Sequence, residues 1–173
     1  MIGRTRFIVD QNVGKLVKSL RLLGYDTLFF SGETDTQMVD IALSEERVIL
    51  TRDTHLLKRR AAVSCLVKVI LLRSDNIETQ IRQVVKDLHL DKFQPFALCL
   101  EDNHRLIFCN REEVRNRVPP YVWENQTEYV ECPECHRIYW RGTHWDAMTR
   151  RLEKLVQDTR KEILWTSKKT TID

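Results

Sequence analysis

Val48-Ile49-Leu50-Thr51-Arg52-Asp53 decides how this chain is read: an apolar, β-branched run stops abruptly at a hydroxyl, a cation and a carboxylate. The pattern recurs twice. Phe7-Ile8-Val9 runs into Asp10, with Gln11 and Asn12 behind it, and Val67 to Leu72 ends in Arg73, Ser74 and Asp75. Short continuous apolar runs of this kind read as buried strands. In an open parallel sheet, ligands bind beyond the carboxyl ends of the strands. Carboxylates gathered there repel one another unless a divalent cation lies among them. The pattern points to metal-dependent chemistry, on phosphate above all.

The segments between these runs read as helices. Leu16, Leu20 and Leu23 repeat at helical spacing, with Lys15, Lys18 and Arg21 on other faces and Gly24 as a stop. Tyr25 to Phe30 is the expected second strand. Thr34 with Gln37 fits a capping box that places Asp35 in the first turn of the next helix. Thr54 to Ala62 reads as a basic helix carrying Lys58, Arg59 and Arg60. Asp75 with Glu78 fits a second capping box, ahead of a helix with Ile77, Ile81, Val84, Val85 and Leu88 on one side. Alternation of strand and helix predicts a parallel sheet with right-handed crossovers, which fills residues 1–92.

The remainder has another texture. Asp91 to Pro95 reads as a linker. Phe96 to Cys99 and Leu106 to Cys109 suggest a hairpin, and Asn110 with Glu113 a short helix that Pro119-Pro120 stops. Cys132-Pro133-Glu134-Cys135 and the aromatics Tyr139, Trp140 and Trp145 complete a small module over 93–146. A helix and polar tail follow over 147–173.

At 173 residues, 42% hydrophobic and 31% charged, the chain is globular in composition. Its net charge of +3 neither demands nor forbids a nucleic-acid partner, so charge distribution has to decide. No early run resembles a signal peptide and no apolar run is long enough to span a bilayer; the expectation is a soluble, cytoplasmic protein with no membrane partner. The 5 cysteines, an odd number, suggest metal ligands or core thiols before disulfides.

Asp10, Asp35, Asp53 and Asp75 are the candidates for one acidic site. Hard cations such as magnesium or manganese prefer carboxylate oxygens and can activate a bound water for attack on a phosphodiester. Asn12, Thr51 and Ser74 could orient carboxylates or waters, and Arg52 and Arg73 could hold a phosphate. Plainer roles exist beside these. Asp35 suits a helix N-terminus, and Asp75 and Asp53 could be helix caps; Asp10 has no such obvious partner.

Taken with Asp10, Thr51-Arg52-Asp53 resembles a PIN-like ribonuclease domain. Asp10-Gln11-Asn12-Val13-Gly14-Lys15-Leu16 and Leu20 to Asp26, Ser74-Asp75 with Gln80, and the closing Cys132 to Cys135, Tyr139-Trp140 and Gly142-Thr143-His144-Trp145 narrow the match. Together, from about Phe7 to Met148, they resemble the RNase family named for the C-terminal domain of Mut-seven proteins. The resemblance implies an α/β, PIN-like parallel sheet flanked by helices, a zinc ribbon, and metal-dependent cleavage of RNA. It carries the acidic positions to Asp10, Asp35 and Asp53, with Asp75 a fourth. It also implies a second C-x-x-C pair where this chain has Cys99-Leu100-Glu101-Asp102. Zinc accepts carboxylate oxygen, so Cys99, Asp102, Cys132 and Cys135 could still bind it, with His104 or Cys109 as substitutes; the alternative is a module held by aromatic packing alone.

Lys15, Lys18, Arg21, Arg52 and Arg73 are candidate RNA contacts, with Tyr139 and Trp140 as stacking surfaces and His144 as a further contact. The expected activity is a magnesium- or manganese-dependent ribonuclease, an endonuclease on single-stranded or exposed RNA, with a protein regulator conceivable. Two rivals stand beside it. One is a non-catalytic RNA- or partner-binding module. The other is a phosphatase or phospho-receiver using Asp10 as nucleophile, for which no lysine after a later strand is evident.

Overall fold

The computed structural model describes residues 5–56, 66–91 and 93–169, with side chains as far as 165. The first part is a parallel sheet of β1 (Arg6–Val9), β2 (Thr27–Phe29), β3 (Arg47–Thr51) and β4 (Val69–Leu71), in the order β2-β1-β3-β4. Because strand side chains alternate between faces, each inner strand feeds two cores. Phe7, Val9, Leu50 and Ile70 pack on one side with α1 (Leu16–Leu22), α3 (Ile77–Leu88) and Leu155 and Val156 of α6 (Thr143–Lys169). Ile8, Ile49 and Val69 pack on the other with Met38 and Ala42 of α2 (Asp35–Ser44) and with Leu56. A sheet buried on both faces explains why these strands read as continuous apolar runs.

The helix ends obey local chemistry. Gly24, at φ 85°, donates to the Arg21 carbonyl at 2.8 Å while Tyr25 N–H reaches the Leu20 carbonyl at 2.9 Å, a left-handed stop for α1. The capping box of Thr34 and Gln37 is formed. The second expected box is not. Asn76 caps α3 by accepting from Thr79 N–H at 3.1 Å, and Asp75 stands one residue before that cap. Of the helix expected over 54–62, residues 54–56 are helical, and Lys58, Arg59 and Arg60 lie outside the described residues.

The second part is an antiparallel sheet of β5 (Ile107–Cys109), β6 (Tyr129–Glu131) and β7 (Ile138–Trp140). The expected hairpin is short: Leu98 and Arg105 form a bridge, flanked by bonds from Cys99 N–H to the His104 carbonyl at 2.8 Å and from Leu106 N–H to the Ala97 carbonyl at 3.1 Å, while β5 pairs with β6. Asn110 caps α4 (Arg111–Val114) from Glu112 N–H. The Pro119-Pro120 pair starts a helix instead of only stopping one: Pro120 is the first residue of α5 (Pro120–Asn125), where its missing N–H costs nothing. The last helix begins at Thr143, which puts His144 and Trp145 in its first turn. No helix among the described residues is long and apolar enough to cross a membrane.

Candidate functional site

The carboxyl ends of the four parallel strands share one edge, and a hydrogen-bonded frame joins three of them. Asp10 follows β1 and its N–H continues the ladder to the Leu50 carbonyl at 3.0 Å. Its Oδ2 accepts from Thr51 Oγ1 at 2.5 Å and from Asn12 Nδ2 at 2.6 Å. Thr51 Oγ1 in turn accepts from Asp53 N–H at 2.9 Å, and Asn12 Oδ1 accepts from Arg52 N–H at 3.0 Å. Arg52 forms an ion pair with Asp75, which brings the end of β4 into the frame. One buried hydroxyl therefore fixes both the orientation of Asp10 and the turn that presents Asp53.

The remaining predicted residues take different places. Asp53 Oδ1 accepts from His55 N–H at 2.7 Å, so one of its oxygens caps residues 54–56 while it stays partly exposed. Asp35 is the first residue of α2, and the capping is done by Thr34 beside it. Arg73 N–H donates to Gln83 Oε1 at 3.1 Å and its side chain is exposed. A cleft of about 580 Å³ runs beside the frame and is lined by Asn12, Lys15, Asp75 and the buried Gln80. Among the described residues, the acids of this edge do not form a group with ligand atoms within 4.8 Å of one another; Cys99, Asp102, Cys132 and Cys135 do.

Two of the basic residues expected at the cleft face elsewhere. Arg21 is buried and donates to the carbonyls of Thr27 at 3.0 Å, Leu100 at 2.9 Å and Glu101 at 2.6 Å. Those bonds turn it away from the cleft; burial lowers its pKa, opposed by nearby thiol and carboxylate groups. Lys18 is exposed but paired with Glu101 at 2.7 Å. Both belong to the amino-terminal edge of the sheet. There Asn103 Oδ1 accepts from Thr27 N–H at 2.9 Å and its Nδ2 donates to Asp26 at 2.6 Å. Arg47, 8% exposed, pairs with Asp26 at 2.6 Å and Glu45 at 2.7 Å. Sequence spacing gave no hint of Asn103, whose partners are far away along the chain.

The thiol cluster is built from two matching turns. In the first, Asn103 N–H donates to the Cys99 carbonyl at 3.1 Å and Cys99 N–H to the His104 carbonyl at 2.8 Å. In the second, His136 N–H donates to the Cys132 carbonyl at 3.0 Å and Cys132 N–H to the Arg137 carbonyl at 3.0 Å. Asn103 and His136 both have positive φ, 71° and 55°. Asp102 thus occupies in the first turn the position that Cys135 occupies in the second. Tetrahedral zinc with Zn–S of about 2.3 Å separates its sulfurs by about 3.8 Å; Cys99 and Cys135 Sγ are 3.7 Å apart. Asp102 oxygens lie 3.2 and 3.3 Å from Cys132 Sγ. The donor set and its spacing fit a metal such as zinc. His104 and Cys109 are not in the cluster.

Electrostatics within the cluster favour a charged Asp102. Burial works against its carboxylate, but the thiols of Cys135, Cys99 and Cys132 and the His104 N–H hold it well below the usual range. The hydrogen bond to Asp102, with burial second, pushes the Cys135 thiol up to about 12. Tyr139 is tied into the cluster. Its hydroxyl lies 3.1 Å from Cys99 Sγ and accepts from Leu100 N–H at 3.3 Å, so only its ring is free for another contact. Trp140 is half-buried, and His144 is exposed beside it.

The model of the Mut7-C RNAse domain family matches residues 5–152. Comparison with curated proteins and with solved structures gave no match. The match spans most of the sheet domain, the thiol module and the start of α6, and the chain belongs to this ribonuclease-domain family.

Proposed function

We propose that the chain is a divalent-metal-dependent ribonuclease, an endonuclease that hydrolyses phosphodiester bonds in single-stranded or exposed RNA. The observation that carries the reading is the frame in which Thr51 Oγ1 holds Asp10 at 2.5 Å and receives Asp53 N–H at 2.9 Å. One buried hydroxyl thereby orients the Asp10 carboxylate, as outer-sphere partners orient metal ligands, and fixes the turn that carries Asp53 at the adjacent strand end. Carboxylate oxygens are the donors that magnesium or manganese takes, and since Asp10, Asp53 and Asp35 do not converge as the thiol cluster does, water would complete the ion's shell. Such an ion, when bound, supplies a water acidic enough to attack phosphorus at neutral pH.

This chain's own residues do the rest. Asn12 and Thr51 hold the Asp10 carboxylate in one orientation. Arg52, held by Asp75, and Arg73 present guanidinium groups that match phosphate oxygens. Lys15, on the wall of the cleft, adds a cation for the RNA backbone. At the other edge Cys99, Asp102, Cys132 and Cys135 hold a structural zinc ion. The test is turnover of mixed-sequence RNA by purified protein with manganese, with and without chelator, beside Asp10→Asn and Asp53→Asn. Loss of cleavage with circular dichroism and melting unchanged is expected. Unaltered metal-dependent turnover in either variant would refute the assignment. Intact RNA bound with chelator-insensitive affinity would favour a binding module instead.

A further inference from the structure

We infer that the open face of the β5-β6-β7 sheet docks an unpaired RNA base and prefers bases that carry an amino group. The inference rests on the ribonuclease reading and deepens it, since it names a second place at which that substrate is held. The strand register sets Phe108, Val130 and Tyr139 side by side. They line a cavity of about 350 Å³ together with Phe96, Arg141 and Glu128.

Three observations point to a flat, charged ligand. Phe108 is 86% exposed, the most exposed large apolar side chain among the described residues; a ring left in water beside a concavity marks an interaction surface more than a fold requirement. Phe96 has φ 61°, a region that bulky residues rarely enter, and packs on Trp145 with centroids 4.1 Å apart and the rings tilted by 32°. Arg141 lays its guanidinium 5.5 Å from the Phe96 ring centre, and among the described residues no carboxylate pairs with it. Its charge is thus available to a phosphate.

Single-stranded RNA offers the matching set: a π face for the rings, a phosphate for Arg141 and an edge for Glu128. An apolar peptide would strip water from Arg141 and Glu128 without replacing it. Glu128 accepts hydrogen bonds and donates none when ionised. It therefore suits the exocyclic amines of adenine, cytosine and guanine, whereas uracil offers one N3–H flanked by two carbonyls that repel the carboxylate.

The test is fluorescence anisotropy with labelled adenine–cytosine and all-uracil oligoribonucleotides, with Asp53→Asn in every protein so that the RNA stays whole. Phe108→Ala should weaken binding of the adenine–cytosine strand by about 5-fold or more, given the usual worth of one stacked base. Phe108→Trp should restore it, and Glu128→Gln should narrow the gap between the two strands. In the cleaving protein, Phe108→Ala should raise KM and leave kcat alone. RNA bound by the parent and by Phe108→Ala with equal affinity would overturn the inference, as would a changed light-scattering mass with unchanged RNA affinity, which would make the face a contact between copies. Failure of the nuclease reading would show separately, as absent cleavage with these binding differences intact.

Discussion

Replacing Arg21 with methionine tests whether the thiol module and the sheet are one cooperative structure. Methionine keeps the apolar stem and removes the guanidinium that binds the carbonyls of Thr27, Leu100 and Glu101 at 3.0, 2.9 and 2.6 Å. Hydrogen bonds to a charged group are worth about 1.5–3 kcal/mol each. The gross loss is partly offset, because a buried guanidinium also gives up its own hydration, and burial does lower the pKa of Arg21. A net cost of about 3 kcal/mol is a fair balance of these two effects. At about 2–4 °C per kcal/mol for a chain of this size, the melting temperature should fall by about 6–12 °C. Differential scanning calorimetry reads the shift, and anisotropy with RNA should show affinity unchanged at a temperature where the variant is folded. A variant that melts like the parent but loses RNA affinity would refute the reasoning and return Arg21 to the RNA-binding role its sequence position suggested.

Other expectations follow from the same contacts. Burial would raise the Asp26 pKa, but hydrogen bonds from Arg47 and Asn103 outweigh it and the pKa is lowered. The stability this contributes is complete above the unfolded value of about 3.9 and drains away as pH falls through the lower folded value, so Asp26→Asn should flatten the acid limb of the urea midpoint. Asn76→Ala should cost about 1 kcal/mol in urea unfolding through the lost cap, whereas Asp75→Ala should leave stability unchanged and reduce RNA turnover. Asp102→Cys should tighten zinc and Asp102→Ala weaken it, measured by competition with a chromophoric chelator; equal affinity in all three proteins would remove Asp102 from the ligand set.

What could be read from the sequence was local, and what could not be was distant. The strand ends at Asp10 and Asp53 and the Thr34–Gln37 box depend on neighbours a few residues away. So does Asp102, whose spacing from Cys99 repeats that of Cys135 from Cys132. Motif spacing failed where two residues competed for one role: Asp75 and Asn76 both suit a cap, and only the backbone decides for Asn76. Arg21 was misplaced because helical periodicity puts it on a polar face, while its partners at Leu100 and Glu101 lie 79 and 80 residues on. Phe108 was unremarkable as an apolar residue in a strand, since alternation says which residues share a face but not whether that face is covered.

The placement of the thiol cluster and of the proposed acidic site has a chemical logic. Asp10, Asp53 and Asp75 lie at the carboxyl edge of the sheet, whereas the turn of Cys99 to Asn103 is bonded at the amino edge through Thr27, Asp26 and Arg21. At about 3.3 Å per residue, the four residues of β1 alone put roughly 13 Å between the edges. The donor sets therefore share no residue or hydrogen bond, and coupling between them must pass through the sheet and α1. Thiolate donors select soft or borderline ions, carboxylate and water donors select hard ones. If zinc and a magnesium-like ion are both taken up, each edge should choose its own without competition. A chelator weak enough to spare zinc should then abolish cleavage and leave the melting temperature unchanged, while a thiol-directed reagent should lower the melting temperature first. Simultaneous loss of both properties under either treatment would mean that the edges are not independent and that the sheet couples them.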